Sequence, residues 1–286
     1  MGENLKIAIQ TKGRLNEESI NLISDTGIKL IPGKRKLISA AKNFPMEVLF
    51  LRDDDIPQTV ADAVADVGIV GENEILEKKQ DVEISKKLGF SKCRLSLAIP
   101  KSIDYPGLDF FKGKKIATSY PVILQDYLNN NNIDAEIHII TGSVEIAPGI
   151  GLADAIFDIV SSGSTLVSNR LKEVEVVMKS EAALIKNPNL SPEKQEILDE
   201  FIFRMESVQR AEGKKYILLN APNKNIQKIA SLLPGIKSPT IVPLAQEGWS
   251  SMHSVIEEND FWEVIGNLKK AGAEGILVIP IEKMIF

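Results

Sequence analysis

One cysteine, two histidines and an aromatic content of 6% leave this 286-residue chain short of several common chemistries. A lone Cys93 excludes an internal disulfide and suits a reducing compartment. It has no catalytic context and is expected to pack at a strand start. His138 and His253 lie far apart without zinc-ligand spacing, and His138 falls in a strand pattern as a structural residue. No apolar run approaches the ~18 residues of a membrane span. The opening MGENLKIAIQ lacks a signal-peptide apolar block, and Lys6 breaks a myristoylation pattern despite Gly2. The expectation is a cytoplasmic protein. Basic excess is missing too: 34 Lys plus Arg stand against 39 Asp plus Glu, a net charge of −5, which argues against nucleic acid or a membrane surface as partner. A polyanionic ligand would have to be met by local clusters of Lys and Arg. No GxxxxGK[ST] occurs, so any nucleoside triphosphate would not be held by a P-loop. Gly149-Ile150-Gly151 is followed by Asp154 where a dinucleotide fingerprint needs its third glycine.

What the chain does have is alternation of short apolar strands with amphipathic helices, within a hydrophobic content of 44% that suits a soluble globular protein. Leu5–Ile9, Met46–Leu51 and Val67–Val70 read as strands, with helices from Asn16 as N-cap to Ser24 and over Ile56–Val64. A second unit starts near Cys93, with strands Arg94–Ile99, Lys115–Thr118, Glu136–Ile140 and Ala155–Val160 and a helix from about Tyr120 to Asn129. That order argues for an α/β sheet in each unit. Ser191-Pro192-Glu193 opens the clearest helix, whose Ile197, Leu198, Phe201, Ile202, Met205 and Val208 recur at helical spacing up to Gly213. From Lys215 the pattern becomes βαββαβ, the ferredoxin-like order, over a length that can hold its own core.

The segment EIAPGIGLADAIFDIVSSGSTL, Glu145–Leu166, carries the most chemistry. An apolar strand runs into Ser161-Ser162-Gly163-Ser164-Thr165 and then a helix start. Free backbone N–H groups, an electropositive helix end and small side chains form a phosphate cup there. Glu145 and Asp158 flank it. Carboxylates repel phosphate, so beside such a cup their natural partner is a sugar diol or a metal; together the features point to a ribose 5-phosphate pocket. An unpaired Asp158 inside an apolar strand would be expensive, and its bland alternative is a bond from a backbone N–H. Thr11-Lys12-Gly13-Arg14 and Arg52 follow strands at the carboxyl end, where α/β ligands bind; Lys12, Arg14 and Arg52 are candidate phosphate ligands. Asp55 is expected to cap the next helix, which leaves Arg52 as the better candidate for substrate. Asp66 and Glu72 either line the cleft or sit in solvated turns.

Glu145, Gly151, Asp158, Ser162, Gly163, Thr165 and Leu166 fall in a pattern that resembles the ATP phosphoribosyltransferase family, the first enzyme of histidine biosynthesis. Ordered matches cover essentially the whole chain: GRL at Gly13–Leu15, RDDDIP at Arg52–Pro57, GIVGEN at Gly68–Asn73, ATSYP at Ala117–Pro121 and PIEKM at Pro280–Met284. The length resembles the long form of that family. The resemblance implies an α/β fold with a two-domain catalytic core like type II periplasmic binding proteins, followed by an ACT-like, ferredoxin-like domain. It divides the chain into residues 1–93 with a return segment of about 179–212, residues 94–178, and residues 213–286. It further implies catalytic Arg14, Glu145 and Asp158. Phosphoribosyl pyrophosphate would lie on Lys12, Asp158, Ser161, Ser162, Gly163, Ser164 and Thr165, and ATP on Arg14, Arg52, Asp66, Thr118 and Tyr120. For Thr118 and Tyr120 a plain helix cap with the ring packed beneath it remains the alternative. Mg²⁺ as cofactor, histidine as inhibitor near Asn220, Thr240 and Ala271, and a dimer or hexamer complete what the resemblance implies. Two rivals share the fold: a solute-binding protein, which would be secreted, and hydroxymethylbilane synthase, which needs a cofactor-bearing cysteine that Cys93 does not resemble.

Overall fold

The computed structural model describes residues 3–31, 37–233 and 238–285; Gly2 lies outside them. The chain divides into two units, Met1–Asp199 and Glu200–Phe286. The first opens with β1 (Leu5–Gln10), α1 (Arg14–Asp25), β2 (Ile38–Ala40), β3 (Met46–Leu51), α2 (Ile56–Ala61), β4 (Val67–Gly71), α3 (Glu72–Lys78) and β5 (Glu83–Lys87). β1 lies between β3 and β4 and runs parallel to both. Leu5, Ile7, Ala8 and Ile9 of β1 and Val67, Ile69 and Val70 of β4 are buried, as strands covered on both faces must be. Gly68 lets α2 close on this sheet, because a Cβ there would lie 2.6 Å from Ile56 Cγ2.

The chain then leaves for a second sheet made by β6 (Cys93–Pro100), β7 (Lys115–Thr118), α4 (Pro121–Asn130), β8 (Glu136–Ile139), β9 (Ala155–Val160), α5 (Ser164–Ser168) and β10 (Leu171–Ser180). Its strand order is β10-β6-β9-β7-β8. β11 (Ala182–Lys186) returns to the first sheet, whose order is β2-β3-β1-β4-β11-β5. Two lobes are thus joined by two crossings, one between β5 and β6 and one at Glu181, the layout of a type II periplasmic binding protein.

Several local expectations need correction. Helix α1 starts at Arg14 with Gly13 as its N-cap; Asn16 sits inside the first turn and donates its amide to the Gln10 carbonyl at 2.6 Å. Helix α2 ends at Ala61, before Ala63 turns into left-handed backbone at φ 56°. Strands β2, β5, β10 and β11 were not anticipated. β5 (EISKK) is a polar edge strand, and the half-exposed β10 (LKEVEVVMKS) is interrupted by irregular register against β6, which blurs its period.

Helix α6 (Pro192–Ala211) contributes residues to both units, and Ser191 caps it by accepting the Lys194 N–H at 3.3 Å. The second unit continues with β12 (Lys214–Pro222), α7 (Ile226–Leu232), β13 (Thr240–Pro243), β14 (Trp249–Glu257), α8 (Glu258–Lys270) and β15 (Glu274–Pro280). The antiparallel order β13-β14-β12-β15 is ferredoxin-like. Ile217, Leu219, Met252 and Ile256 on the sheet pack with Ile229, Phe261 and Leu268 from the helices.

Candidate active site

Parallel pairing decides which loops meet. β7 and β9 run parallel with Thr118 opposite Phe157, so the Thr118–Pro121 turn and the Asp158–Thr165 segment leave the same edge of the second sheet. Likewise β1 and β3 run parallel, and Thr11 donates both its N–H (2.8 Å) and its hydroxyl (2.7 Å) to the Leu51 carbonyl. That places Thr11–Arg14 beside Arg52 at carboxyl strand ends, where α/β sheets bind ligands.

On β9, Asp158 is half-buried and its Oδ1 accepts the Ile159 N–H at 2.8 Å. Burial is the main cause that lifts its carboxyl to about 6, and the charge of Glu145 pushes the same way. Glu145 itself stands in a short 3₁₀ turn, Val144–Ile146. The two acids therefore face each other electrostatically. Next to them, Ser161, Ser162, Ser164 and Thr165 are exposed, and Gly163 holds left-handed backbone at φ 81°. Among the described residues no acceptor occupies the Gly163 or Thr165 amide. Helix α5 is only five residues long, so these amides and hydroxyls, more than a helix dipole, make the cup. A brace unseen in the sequence supports it: Arg94 donates to the Ser161 carbonyl at 3.0 Å and grips Glu173 with two bonds of 2.5 and 2.6 Å. The guanidinium holds Glu173 below the usual carboxylate range.

The cationic candidates are exposed and loosely paired, Arg14 with Glu18 at 3.2 Å and Arg52 with Asp54 at 3.1 Å. Such surface pairs are weak and leave both side chains able to turn to a phosphate. Lys12 is exposed as well. Asp55 caps nothing through its side chain.

Asp66 does not join this group. It precedes β4, at the amino end of the strand, and its oxygens are taken by the Lys6 N–H (2.8 Å) and Lys194 Nζ (2.9 Å). Thr118 is fully buried, and its hydroxyl oxygen accepts the Tyr120 N–H at 2.8 Å, so it shapes the turn from inside rather than facing a ligand. Glu72 pairs with Lys87 at 2.7 Å and accepts the Glu181 N–H at 3.3 Å, which makes it a brace between the strand crossings. Tyr120 is half-buried and donates its hydroxyl to Glu74 Oε1 at 3.0 Å. Burial first, then the Glu74 charge, raise the Tyr120 hydroxyl far above its ordinary value; Asp158 and Asp53 add to it. The ring thus lies within electrostatic reach of acids from both lobes. Glu74 escaped the sequence reading because GENEILEK looks like an ordinary polar helix start.

Among the described residues no group of three or more His, Cys, Asp or Glu side chains is arranged to hold a metal ion.

A model of the family described as ATP phosphoribosyltransferase matches residues 52–207, and one described as HisG, C-terminal domain, matches residues 211–283. This chain belongs to the ATP phosphoribosyltransferase family. An ATP phosphoribosyltransferase of Bacteroides thetaiotaomicron is 68% identical over 281 residues, 98% of this chain and 99% of that protein. The Cytophaga hutchinsonii ATP phosphoribosyltransferase is 61% identical over 285 residues and all of both chains. Among solved structures, a chain of the ATP phosphoribosyl transferase (HisG:HisZ) complex from Thermotoga maritima aligns with a TM-score of 0.62 at 29% identity. That alignment covers 71% of this chain and 96% of the other. The protein is accordingly an enzyme, a pentosyltransferase of histidine biosynthesis. No helix of the described residues is long and apolar enough to cross a membrane.

In the ferredoxin-like unit, Asn220 pairs in register with Ser251, and Thr240 is exposed at the start of the edge strand β13, opposite His253. Ala271 is buried, and its carbonyl accepts the Asn225 amide at 2.8 Å.

Proposed function

We propose that the enzyme joins N1 of the adenine of ATP to C1 of 5-phosphoribosyl 1-pyrophosphate, forming phosphoribosyl-ATP and releasing pyrophosphate. The C1–oxygen bond breaks as the C1–N1 bond forms. Negative charge departs on pyrophosphate while positive charge builds on the ribose ring. Such a transfer needs anions beside the sugar, cations beside the leaving group and two substrates held in line. Glu145 and Asp158 are assigned to the ribose, Arg14 with Lys12 and Arg52 to phosphate oxygens, Ser161–Thr165 to the 5-phosphate, and Tyr120 to the nucleotide. The observation that carries this reading is the electrostatic pairing of Glu145 with Asp158 next to the open amides of the serine-rich turn. Mg²⁺ enters only as a companion of substrate phosphate oxygens, and no step is routed through it. Incubating the protein with ATP and phosphoribosyl pyrophosphate should give phosphoribosyl-ATP by mass spectrometry; ADP and phosphate alone would refute the assignment.

The reading extends to control. Catalysis is assigned to residues 1–93 with the return segment of about 179–212 and to residues 94–178, acting in the cytoplasm as dimers that close into hexamers. The unit from 213 to 286 holds none of the groups assigned to the reaction, and we assign it feedback inhibition by histidine. An amino acid binding there acts at a distance only by favouring one of two global states. Asn220→Ala should weaken histidine several-fold by calorimetry; unchanged affinity would move the inhibitor site elsewhere.

A further inference from the structure

Helix α3 inverts the usual rule that acids face water. Its apolar Leu76 is 52% exposed, while Asn73, Glu74 and Glu77 are each no more than 7% exposed. What they bury against is the second lobe. Glu77 accepts the N–H groups of Val122 and Ile123, both at 3.0 Å, and so caps the start of α4 from a helix some 45 residues away. Glu74 Oε1 accepts the Tyr120 hydroxyl and the Asn73 amide, each at 3.0 Å. Asn73 is fixed in turn at the crossing strand: Ser180 donates to its Oδ1 at 2.8 Å, and its own N–H reaches Ser180 Oγ at 3.2 Å. Gly71 leaves room for this arrangement, since a Cβ there would come within 2.3 Å of Asn73 Oδ1.

We propose that Glu74 is a positioning residue for the nucleotide: from one lobe it holds the Tyr120 hydroxyl of the other, setting the ring against which ATP lies, while Glu77 anchors the helix start behind that ring. The proposal rests on the reading of Tyr120 as nucleotide-facing. Three features support it. The hydroxyl–carboxylate bond joins the two lobes at the turn that the site uses. The acceptor belongs to a group that water would solvate far better, so its burial needs a return elsewhere in the molecule. The group is also poised to change charge near neutrality, burial having pushed Glu74 up to about 7. Besides Tyr120, the charges that reach Glu74 are Asp53 and Asp54 from the turn after β3 and Lys78 on its own helix. Asp158 acts on the ring itself.

Calorimetry on the full chain tests the idea, with ATP and phosphoribosyl pyrophosphate titrated separately into wild type, Glu74→Met, Tyr120→Phe and the double variant. Glu74→Met and Tyr120→Phe should each weaken ATP roughly tenfold, as expected for a lost bond to a charged group. The double variant should be no worse than either alone, because both remove one interaction. Phosphoribosyl pyrophosphate affinity should stay within about twofold. Wild-type ATP affinity should also rise as pH passes upward through about 7 and Glu74 ionises, a step absent from Glu74→Gln at matched pH. Additive losses, or equal losses for both substrates, overturn the proposal. If Tyr120→Phe weakens ATP and Glu74→Met does not, positioning by Glu74 is wrong while the nucleotide reading stands. If Tyr120→Phe binds ATP normally, positioning through the hydroxyl is wrong; the nucleotide reading falls only if Tyr120→Ala binds ATP normally as well.

Discussion

Asp158 at the end of β9 and Glu74 at the start of α3 belong to different lobes, and burial lifts both, to about 6 and about 7. They differ in what satisfies them. Glu74 receives a tyrosine hydroxyl and a side-chain amide, so the protein itself completes its shell. Asp158 receives the N–H of its own neighbour Ile159 and otherwise faces the like charge of Glu145. A carboxylate with spare acceptor capacity beside another acid is set for a ligand; one whose partners are protein groups is set to hold architecture. On the proposed reading, the lobe that carries the serine-rich turn presents chemistry, and helix α3 presents support.

The sharpest way to break that contrast is Asp158→Asn. If the carboxylate acts mainly on the transition state, kcat should fall by roughly 10²-fold while the fold survives. Stability at neutral pH should even rise, because the folded state no longer buries an ionised acid whose value lies above the ordinary 3.8. Loss of activity together with a higher unfolding temperature would separate a functional acid from a structural one. Wild-type kcat would end the assignment.

Next in size is the turn. Gly163→Val forces a β-branched residue to φ 81°. Phosphoribosyl pyrophosphate should weaken at least about tenfold with ATP little changed, as read by separate titrations. Equal losses for both would mean that the lobe is disturbed as a whole.

The pH profile then distinguishes the two acids. Asp158 is ionised above about 6, so kcat should drop as pH falls through that value, and the inflection should vanish in Asp158→Asn. An inflection near 6 that survives in Asp158→Asn belongs to another group.

How much of this was legible without coordinates follows the same divide. The Glu145–Leu166 segment could be read because its signals are local: an apolar strand, a glycine at the turn, hydroxyls in a row, an acid where none belongs. Nearly every buried strand was visible for the same reason. Strand β10 was not, since its charged residues and irregular register against β6 break the period. Asp66 looked like a cleft residue by its neighbourhood in ADVGIVGEN, yet the direction of β4 carries it to the opposite end of the sheet, a fact only pairing reveals. Glu74 and Glu77 were invisible because their partners stand some 45 residues onward, and no pattern inside ENEILEK reports them. The grip of Arg94 on Glu173 is equally non-local.

The smallest expected effect tests Glu74 as an element of structure rather than of binding. Its folded-state value of about 7 stands above the ordinary 4.5, so the folded chain holds that proton more tightly than the unfolded one. The associated stability is fully present below about pH 4.5 and is lost as pH rises through about 7. Glu74→Gln keeps the size and an oxygen to accept the Tyr120 hydroxyl, but never ionises. Wild type and variant should therefore differ least at pH 5, where both folded forms are neutral. At pH 8 the variant should melt a few degrees higher, given the usual scaling of free energy to melting temperature for chains of this size. A difference that stays constant from pH 5 to pH 8 would show that Glu74 has its ordinary value in the folded protein and is ionised across this range. Tyr120 would then be held by a carboxylate throughout, and the contrast with Asp158 would rest on hydrogen-bond partners alone.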